Sequence, residues 1–278
     1  MRSALLDEVG EVMRAVAGEV ILPRFRSLGQ DDIEEKAPGE LVTVADREAE
    51  QLLTDALLEL LPGSRVVGEE RTATEPSLLS QLSSGAVWLI DPLDGTANFV
   101  DGRPCFATMI ALLQDGDTVA SWMLDPISDA LSRAELGAGA YVDGGKGAPS
   151  GVRAEQRVQT RESSPAASRL RGALLKKYMP PDVRQRVEQR IPRIAEALDG
   201  MRCAGAEYPA VARGAQDFAV FWRTLPWDHA AGTLFLTEAG GRVARLDGSP
   251  YRVTEPRTGL LVAHNPAVWS ETCAALFS

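Results

Sequence analysis

Two aspartates, separated by two residues, follow an apolar run that is typical of a buried strand. Asp91 and Asp94 lie in the segment Asp-Pro-Leu-Asp-Gly-Thr, directly after residues 87–90. Pro92 stiffens this bend, and Gly95 lets the backbone approach an anion. Mg²⁺ prefers oxygen ligands, and two carboxylates on a rigid turn can hold a pair of ions roughly 3.5–4 Å apart, the spacing used in phosphoryl transfer. The alternative is an Asp-Pro turn followed by an Asp-Gly turn.

The other candidate residues have ordinary structural explanations when each is taken alone. Asp46 follows Thr43 at the spacing of a capping box, which would place it at a helix start. Asp228 fits the first turn of a helix, where a negative charge is favourable. A surface lysine and a solvated acidic pair would account for Lys36, Glu69 and Glu70. Only the joint occurrence of these residues indicates a site.

Apolar periodicity predicts the elements that must position these side chains. Steps of three and four predict helices over 3–28 and about 45–61, with a loop or hairpin at 33–40 between them. Further helices are predicted near 181–198, 206–214, 228–240 and 266–276. Strands are predicted at 65–67, 87–90, 106–113, 118–125, 129–135, 217–222, 242–246 and 259–263. The segment 144–168, rich in Gly, Ser and charge, is predicted to connect two halves.

Composition restricts the possible partners and location. The 278 residues are 45% hydrophobic and carry a net charge of −10, with a pI near 4.9. Such an acidic chain repels nucleic acid and anionic lipid, so we expect neither as a partner. Acidic residues interrupt the first twenty positions and argue against a signal peptide. Cys105, Cys203 and Cys273 form no CxxC pair, which predicts reduced thiols and a cytoplasmic location.

Five motifs together resemble the inositol monophosphatase family over about residues 5–270. The first signature corresponds to Trp-Leu-Ile-Asp-Pro-Leu-Asp-Gly-Thr-Ala-Asn-Phe at 88–99. The second corresponds to Trp-Asp-His-Ala-Ala-Gly at 227–232, continuing to the glycine pair at 240–241. The remaining matches are Lys36, the segment 41–46 and Gly-Glu-Glu at 68–70. Their shared order and spacing identify the chain as a family member.

The resemblance implies a Mg²⁺-dependent, lithium-sensitive phosphatase that hydrolyses a small phosphomonoester by metal-activated water, with two or three ions per active site. Metal ligands would be Glu69, Asp91, the carbonyl of Leu93, Asp94 and Asp228. The catalytic residues implied are Asp46, Glu70 and Thr96. Substrate and phosphate contacts would involve Lys36, Gly95, Thr96, Gly205, Ala206, Glu207, Trp222 and Arg223. The two histidines, His229 and His264, are expected to be structural.

The substrate end departs from the inositol pattern. Family members that bind inositol carry a Glu where this chain has Phe221, and a Gly where it has Arg223. Glu207 replaces a small residue of the family. We expect Trp222 to offer a flat face to a ring and Arg223 to accept a second anionic group. Candidate substrates are phosphates of inositol, other polyols, sugars or amino alcohols, histidinol phosphate, fructose 1,6-bisphosphate and an adenosine 3′-phosphate compound.

Two rival functions stay open. A haloacid-dehalogenase-type phosphatase uses an aspartate nucleophile in a DxDGT turn, whereas two residues separate Asp91 from Asp94 here. A non-catalytic, regulatory family member would be expected to have lost a metal ligand, and the chain keeps all of those expected.

The fold implied by the resemblance is an α/β (α+β) layered αβαβα sandwich of the inositol monophosphatase and fructose-1,6-bisphosphatase type. We predict one domain over 1–278. Its N-terminal half, about 1–145, carries most metal ligands, and its C-terminal half, about 146–278, carries Asp228 and the substrate pocket. The family likeness also predicts a homodimer.

Overall fold

The computed structural model describes residues 4–145, 155–160 and 169–277. The helices are α1 Ala4–Val16, α2 Leu22–Arg24, α3 Val44–Leu60, α4 Glu69–Thr74, α5 Thr96–Val100, α6 Pro181–Arg190, α7 Ala204–Ala212, α8 Pro226–Glu238 and α9 Pro266–Phe277. A π-helical turn at Ala17–Ile21 joins α1 to α2, and 3₁₀ turns occupy Gln30–Asp32, Pro76–Ser83 and Ile191–Arg193.

The strands form one hairpin and two larger sheets. They are β1 Ile33–Ala37, β2 Glu40–Thr43, β3 Arg65–Gly68, β4 Ala86–Asp94, β5 Ala107–Gln114, β6 Asp117–Asp125, β7 Ala130–Glu135, β8 Gly139–Asp143, β9 Glu155–Val158, β10 Leu170–Leu175, β11 Ala195–Leu198, β12 Phe218–Phe221, β13 Arg242–Arg245 and β14 Leu260–Ala263. Strands β3 to β9 form a seven-stranded sheet in sequence order, and the five-stranded sheet has the order β11-β10-β12-β14-β13. Strands β1 and β2 pair only with each other in the described chain.

The fold has five layers, because the side chains along each strand point alternately to the two faces of its sheet. In β4, Trp88 and Ile90 pack against α1 and α3, whereas Val87 and Leu89 face the opposite side, toward α7 and α8. Helices α7 and α8 fill the space between the two sheets. Helices α6 and α9 cover the outer face of the five-stranded sheet, where Trp269 is buried. This confirms the predicted αβαβα arrangement.

The helix predicted over 181–198 is partly wrong. Helix α6 ends at Arg190, a 3₁₀ turn containing Pro192 follows, and Ala195–Leu198 forms strand β11. Proline removes a backbone donor and crowds the preceding turn, so the helix cannot continue through this position. Strand β11 then pairs in parallel with β10, and neither strand was predicted from the apolar pattern.

Much of the predicted connector at 144–168 lies outside the described residues, but Glu155–Val158 within it pairs with β8. In the described ranges, no helix combines the length and the apolar character needed to cross a membrane.

Candidate active site

A cavity of about 620 Å³ opens where the C-terminal end of β4, the start of α8 and the β1–β2 hairpin meet. Its floor carries the acidic residues, and its rim carries basic and aromatic side chains from both halves of the chain. The β4–β5 ladder is irregular between Asp91 and Asp94, which pair with Met109 and Ala107 respectively. A bulge of this kind bends the strand and re-aims its side chains. Both carboxylates therefore line the cavity.

Three carboxylates converge on the cavity floor. One oxygen each from Glu69, Asp91 and Asp228 lies within 4.8 Å of the other two, and these residues come from α4, β4 and α8. Asp94 lies beside them, and its Oδ2 accepts the backbone N–H of Gly205 at 2.6 Å. A set of closely spaced carboxylate oxygens is the ligand set that a hard divalent cation prefers.

The protonation behaviour of this cluster reflects its burial. Burial, together with the charge of Glu69 and of the neighbouring aspartates, raises the pKa of Asp91 well above its usual range, and that of Asp228 likewise. Burial also raises the pKa of Asp94 to about 6, although the N–H of Gly205 opposes this shift. Buried like charges disfavour each other's ionised form. A bound cation would reverse that cost, so the cluster fits a divalent metal.

Asp46 has two roles at once. Its Oδ2 accepts the backbone N–H of Thr43 at 2.8 Å and the Thr43 hydroxyl at 2.5 Å, which completes the capping box of α3. Its Oδ1 accepts the hydroxyl of Thr96 at 3.1 Å. The structural and functional explanations of Asp46 are thus compatible, because each uses a different oxygen. Burial raises the pKa of Asp46 to about 6.

Gly95 occupies a conformation that other residues rarely adopt. Its φ is +90°, and a Cβ at this position would lie 3.0 Å from the carbonyl oxygen of Cys105 and 3.3 Å from Cβ of Cys203. Both space and backbone angle therefore require glycine. Gly95 precedes the short helix α5, which starts at Thr96, and both residues line the cavity.

Lys36 bridges two acidic residues at the edge of the cluster. Its Nζ lies 2.5 Å from Glu69 and 2.7 Å from Glu70. Burial and the charge of Glu69 raise the pKa of Glu70 to about 7, although Lys36 opposes the shift. The structure thus brings three residues predicted from two separate motifs into one contact group.

Glu50 was not predicted as a site residue. Its carboxylate accepts the backbone N–H groups of Glu70 and Arg71 at 2.7 and 2.9 Å, which fixes the start of α4. A Cβ on Gly68 would lie 2.3 Å from Cδ of Glu50, so this approach requires glycine. The available signal was spacing, since Glu50 lies one helical turn after Asp46 on the same face of α3.

The cavity contains only part of the set predicted to bind the leaving group. Trp222 and Arg223 line the cavity as expected. Glu207 lies outside the cavity lining and is fully buried, where its carboxylate accepts the N–H of Met201 at 2.5 Å and a side-chain N–H of Gln216. These bonds stabilise the start of α7 and the turn after it. The placement of Glu207 in the substrate pocket is therefore corrected.

Gly205 and Ala206 support the site through a backbone hydrogen bond and through core packing. Gly205 donates to Asp94, and a Cβ there would lie 2.6 Å from Cβ of Ala107. Ala206 is half-buried against the core between the sheets. Neither residue is part of the cavity lining in the described residues, so the predicted direct contact of Gly205 and Ala206 with substrate is not seen.

The profile of the inositol monophosphatase family matches residues 5–278. The chain belongs to this family. An inositol-1-monophosphatase of Bacillus subtilis (strain 168) is 31% identical over 235 residues, which cover 83% of this chain and 81% of that protein. A histidinol-phosphatase of Mycobacterium tuberculosis is 33% identical over 239 residues, 84% of each chain.

A solved structure supports the fold. The chain superimposes on an inositol monophosphatase of Thermotoga maritima with a TM-score of 0.78, at 24% identity, covering 99% of this chain and 97% of that one. Membership of the inositol monophosphatase family makes the chain a phosphatase that hydrolyses phosphomonoesters. The family is generally metal-dependent, and the acidic cluster described above is able to bind a metal.

Proposed function

We propose that the protein is a Mg²⁺-dependent phosphatase that hydrolyses a small phosphomonoester by direct attack of water. The observation that carries this proposal is the convergence of Glu69, Asp91 and Asp228 within 4.8 Å of one another at the floor of an open cavity. Asp94 and the carbonyl of Leu93 would complete the ligand set. When bound, Mg²⁺ would neutralise charge on the phosphoryl oxygens and lower the pKa of water.

The residues around the cluster would orient the attacking water. Above about pH 6, Asp46 is largely ionised, so the Thr96 hydroxyl, which also lies 3.0 Å from the carbonyl oxygen of Leu93, can donate a hydrogen bond to Asp46. The oxygen of Thr96 then keeps lone pairs that can accept a hydrogen bond from a water molecule. Thr96 would thereby aim the water at phosphorus, and Asp46 would stabilise the proton's transfer. Glu70, held by Lys36, is a second candidate to accept a proton.

Backbone N–H groups would hold the phosphate. The left-handed turn at Gly95 directs the chain into α5, and the N–H groups of Gly95 and Thr96 can donate to phosphoryl oxygens. Lys36 adds a positive charge at the same end of the cavity. Trp222 and Arg223 also line the cavity, and we propose that the leaving alcohol binds beside them.

The substrate class is a phosphate ester of a polyol, sugar or amino alcohol. The inositol-1-monophosphatase and histidinol-phosphatase relatives support this range, since each is named for a phosphomonoester with a compact hydroxylated or amino-bearing alcohol. A histidinol phosphate, fructose 1,6-bisphosphate or adenosine 3′-phosphate substrate is the alternative within the superfamily.

The test is a hydrolysis assay with purified protein. Release of inorganic phosphate is measured from inositol 1-phosphate, histidinol phosphate, fructose 1,6-bisphosphate, adenosine 3′-phosphate and p-nitrophenyl phosphate, with Mg²⁺ or with excess chelator. We expect turnover of at least one ester only in the presence of Mg²⁺. Equal turnover in chelator, or trapping of a phosphoaspartate at Asp91, would contradict the proposal.

Two further properties are proposed from the family likeness, and a third from the cysteines. Lithium should inhibit at the site formed by Asp91, Asp94 and Asp228. The protein should be a homodimer in solution, which sedimentation analysis can measure. A cytoplasmic location agrees with the free thiols of Cys105, Cys203 and Cys273.

A further inference from the structure

Three side chains from distant parts of the chain meet at the rim of the cavity. Glu40, in β2 of the hairpin, forms an ion pair with Arg223. The guanidinium of Arg223 lies 4.0 Å from the ring centre of Tyr178, and the Tyr178 hydroxyl lies 3.5 Å from Glu40. All three line the cavity. We refer to Glu40, Tyr178 and Arg223 as the rim cluster.

Arg223 is also held from its backbone side. Nε2 of His229 lies 3.1 Å from the carbonyl oxygen of Arg223, and Nδ1 lies 2.8 Å from the hydroxyl of Tyr208. A carbonyl oxygen can only accept, so Nε2 carries the proton and Nδ1 accepts from Tyr208. His229 therefore fixes the main chain of Arg223 while Glu40 and Tyr178 fix its guanidinium. Arg223 is a positioned component of the cavity rather than a solvated loop residue.

The positively charged side chains at the rim are already paired with other groups of the protein. In the described chain, each cationic rim side chain away from the acidic cluster has a hydrogen-bonding partner. The pairs are Lys176 with Glu188, Lys177 with the carbonyl of Gly39, Arg202 with Asp101, and Arg223 with Glu40. Of these pairs, that of Glu40 and Arg223 is formed by two side chains that both line the cavity.

We propose that Glu40 is a specificity-determining residue: by holding the guanidinium of Arg223, it directs the enzyme toward phosphomonoesters whose leaving group carries no second anionic group. This inference rests on the proposed function and names its substrate class. A second phosphate or carboxylate reaching Arg223 would have to displace Glu40 and would meet its negative charge. A hydroxyl or amino group can instead hydrogen-bond to Glu40 without breaking the pair.

The physical basis is competition between two anions for one guanidinium. Arg forms its strongest contacts with carboxylates and phosphates through the same planar set of N–H groups. The side chain of Arg223 is 32% exposed and that of Glu40 is 28% exposed, so a ligand in the cavity can reach both. Discrimination arises because the unwanted ligand meets a repulsive charge, not only because the preferred ligand gains a contact.

The test compares fructose 1-phosphate with fructose 1,6-bisphosphate, which differ by one phosphate. For each variant, kcat/KM is measured on both esters at saturating Mg²⁺, and the ratio of bisphosphate to monophosphate is reported. Glu40→Gln removes the charge of Glu40, and this ratio should rise roughly tenfold or more because a charge-assisted hydrogen bond becomes available to the second phosphate. Glu40→Ala is the second variant and should change the ratio in the same direction.

Two control variants test whether the effect depends on the ion pair of Glu40 with Arg223. Glu34 lies in the same hairpin and forms an exposed ion pair with Arg47, away from the cavity lining, so Glu34→Gln should leave the ratio unchanged. Glu40→Gln combined with Arg223→Gln should lose the gain, because the second phosphate then has no guanidinium to bind. A change in a ratio of two substrates separates specificity from a general loss of structure.

The failures of the two proposals are distinguishable. A wild-type enzyme that hydrolyses fructose 1-phosphate, with folded Glu40 variants whose ratio stays at the wild-type value, would overturn the role of Glu40 alone. A gain that persists in the double variant would likewise overturn it, since Arg223 would not be the group involved. Wild-type protein that hydrolyses none of the esters, including p-nitrophenyl phosphate, would overturn the proposed function and this inference with it.

Discussion

The two ends of the cavity are built in opposite ways. At the proposed metal end, Asp91, Asp94 and Asp228 are held by a strand end and a helix start, and burial raises their pKa values. At the proposed leaving-group end, Glu40 and Arg223 are partly exposed and already paired. The metal end is a concentration of like charge that a cation would relieve, whereas the rim cluster is electrically satisfied without a ligand. We infer that the first end supplies reactivity and the second supplies selection.

The largest expected effect is at the metal end. Asp228→Asn or Asp94→Asn should lower kcat by roughly 10³-fold or more, since each removes a proposed metal ligand in a site where charge stabilisation is the main contribution to catalysis. Steady-state assays at several Mg²⁺ concentrations measure this loss. Asp55→Asn, on the exposed face of α3, is the matched control and should keep full activity. Full turnover by either site variant would contradict the metal assignment.

The Asp228→Asn variant should not weaken the fold. Burial and neighbouring charges raise the pKa of Asp228 well above its usual range, which means that its ionised form is unfavourable without a cation. In chelator, Asp228→Asn should therefore unfold at the same temperature as wild type or a higher one. A large drop in unfolding temperature would instead assign Asp228 a structural role.

A smaller effect is expected where the water is oriented. Thr96→Ala should lower kcat by roughly 10²-fold or more with little change in KM, since positioning groups of this kind act mainly in the transition state. Thr96→Ser keeps the hydroxyl that donates to Asp46 and should retain most activity. Unchanged kcat with a raised KM would reassign Thr96 to substrate binding.

Metal affinity should depend on pH at this end of the cavity. Burial raises the pKa of Asp94 to about 6, so below that value a proton competes with the cation for its carboxylate. The apparent affinity for Mn²⁺ should fall, by up to about tenfold per pH unit for each proton displaced, as the pH is lowered through that value, and the raised pKa values of Asp91 and Asp228 act in the same direction. Calorimetric titration at several pH values measures this. An affinity independent of pH across that range would contradict the assignment.

The smallest effect on catalysis is expected at Glu207. Its buried carboxylate accepts N–H groups from Met201 and Gln216, so Glu207→Ala should destabilise the fold by roughly 1–3 kcal/mol, the cost of leaving buried donors without an acceptor. Denaturant unfolding measures this change. The ratio of kcat/KM between any two substrates should stay constant, and a substrate-dependent loss would return Glu207 to the pocket.

The metal end could be predicted from sequence because its signals are local. Asp91 and Asp94 follow an apolar strand within four residues, and Thr43 with Asp46 forms a capping box readable from spacing alone. Local geometry fixes where these side chains point, and the family motifs supply the order in which they converge. The convergence of Glu69 with Asp228 required the motifs, since nothing local joins two residues so far apart.

The leaving-group end could not be predicted in the same way. Helix α7 is buried on nearly every side, so its sequence shows no polar face that could tell whether Glu207 points to the cavity or to the core. The pair of Glu40 with Arg223 joins residues 183 positions apart and depends on how the hairpin meets the loop after β12. Such contacts follow from tertiary packing rather than from any periodicity.

The most direct test of the account is a crystal structure of the protein grown with Mn²⁺ and phosphate, with anomalous scattering used to locate the metal. We predict anomalous peaks within coordination distance of the carboxylates of Glu69, Asp91, Asp94 and Asp228, with phosphate bound beside the N–H groups at the start of α5. An acidic cluster without anomalous density, in protein that still turns over a phosphomonoester, would contradict the account.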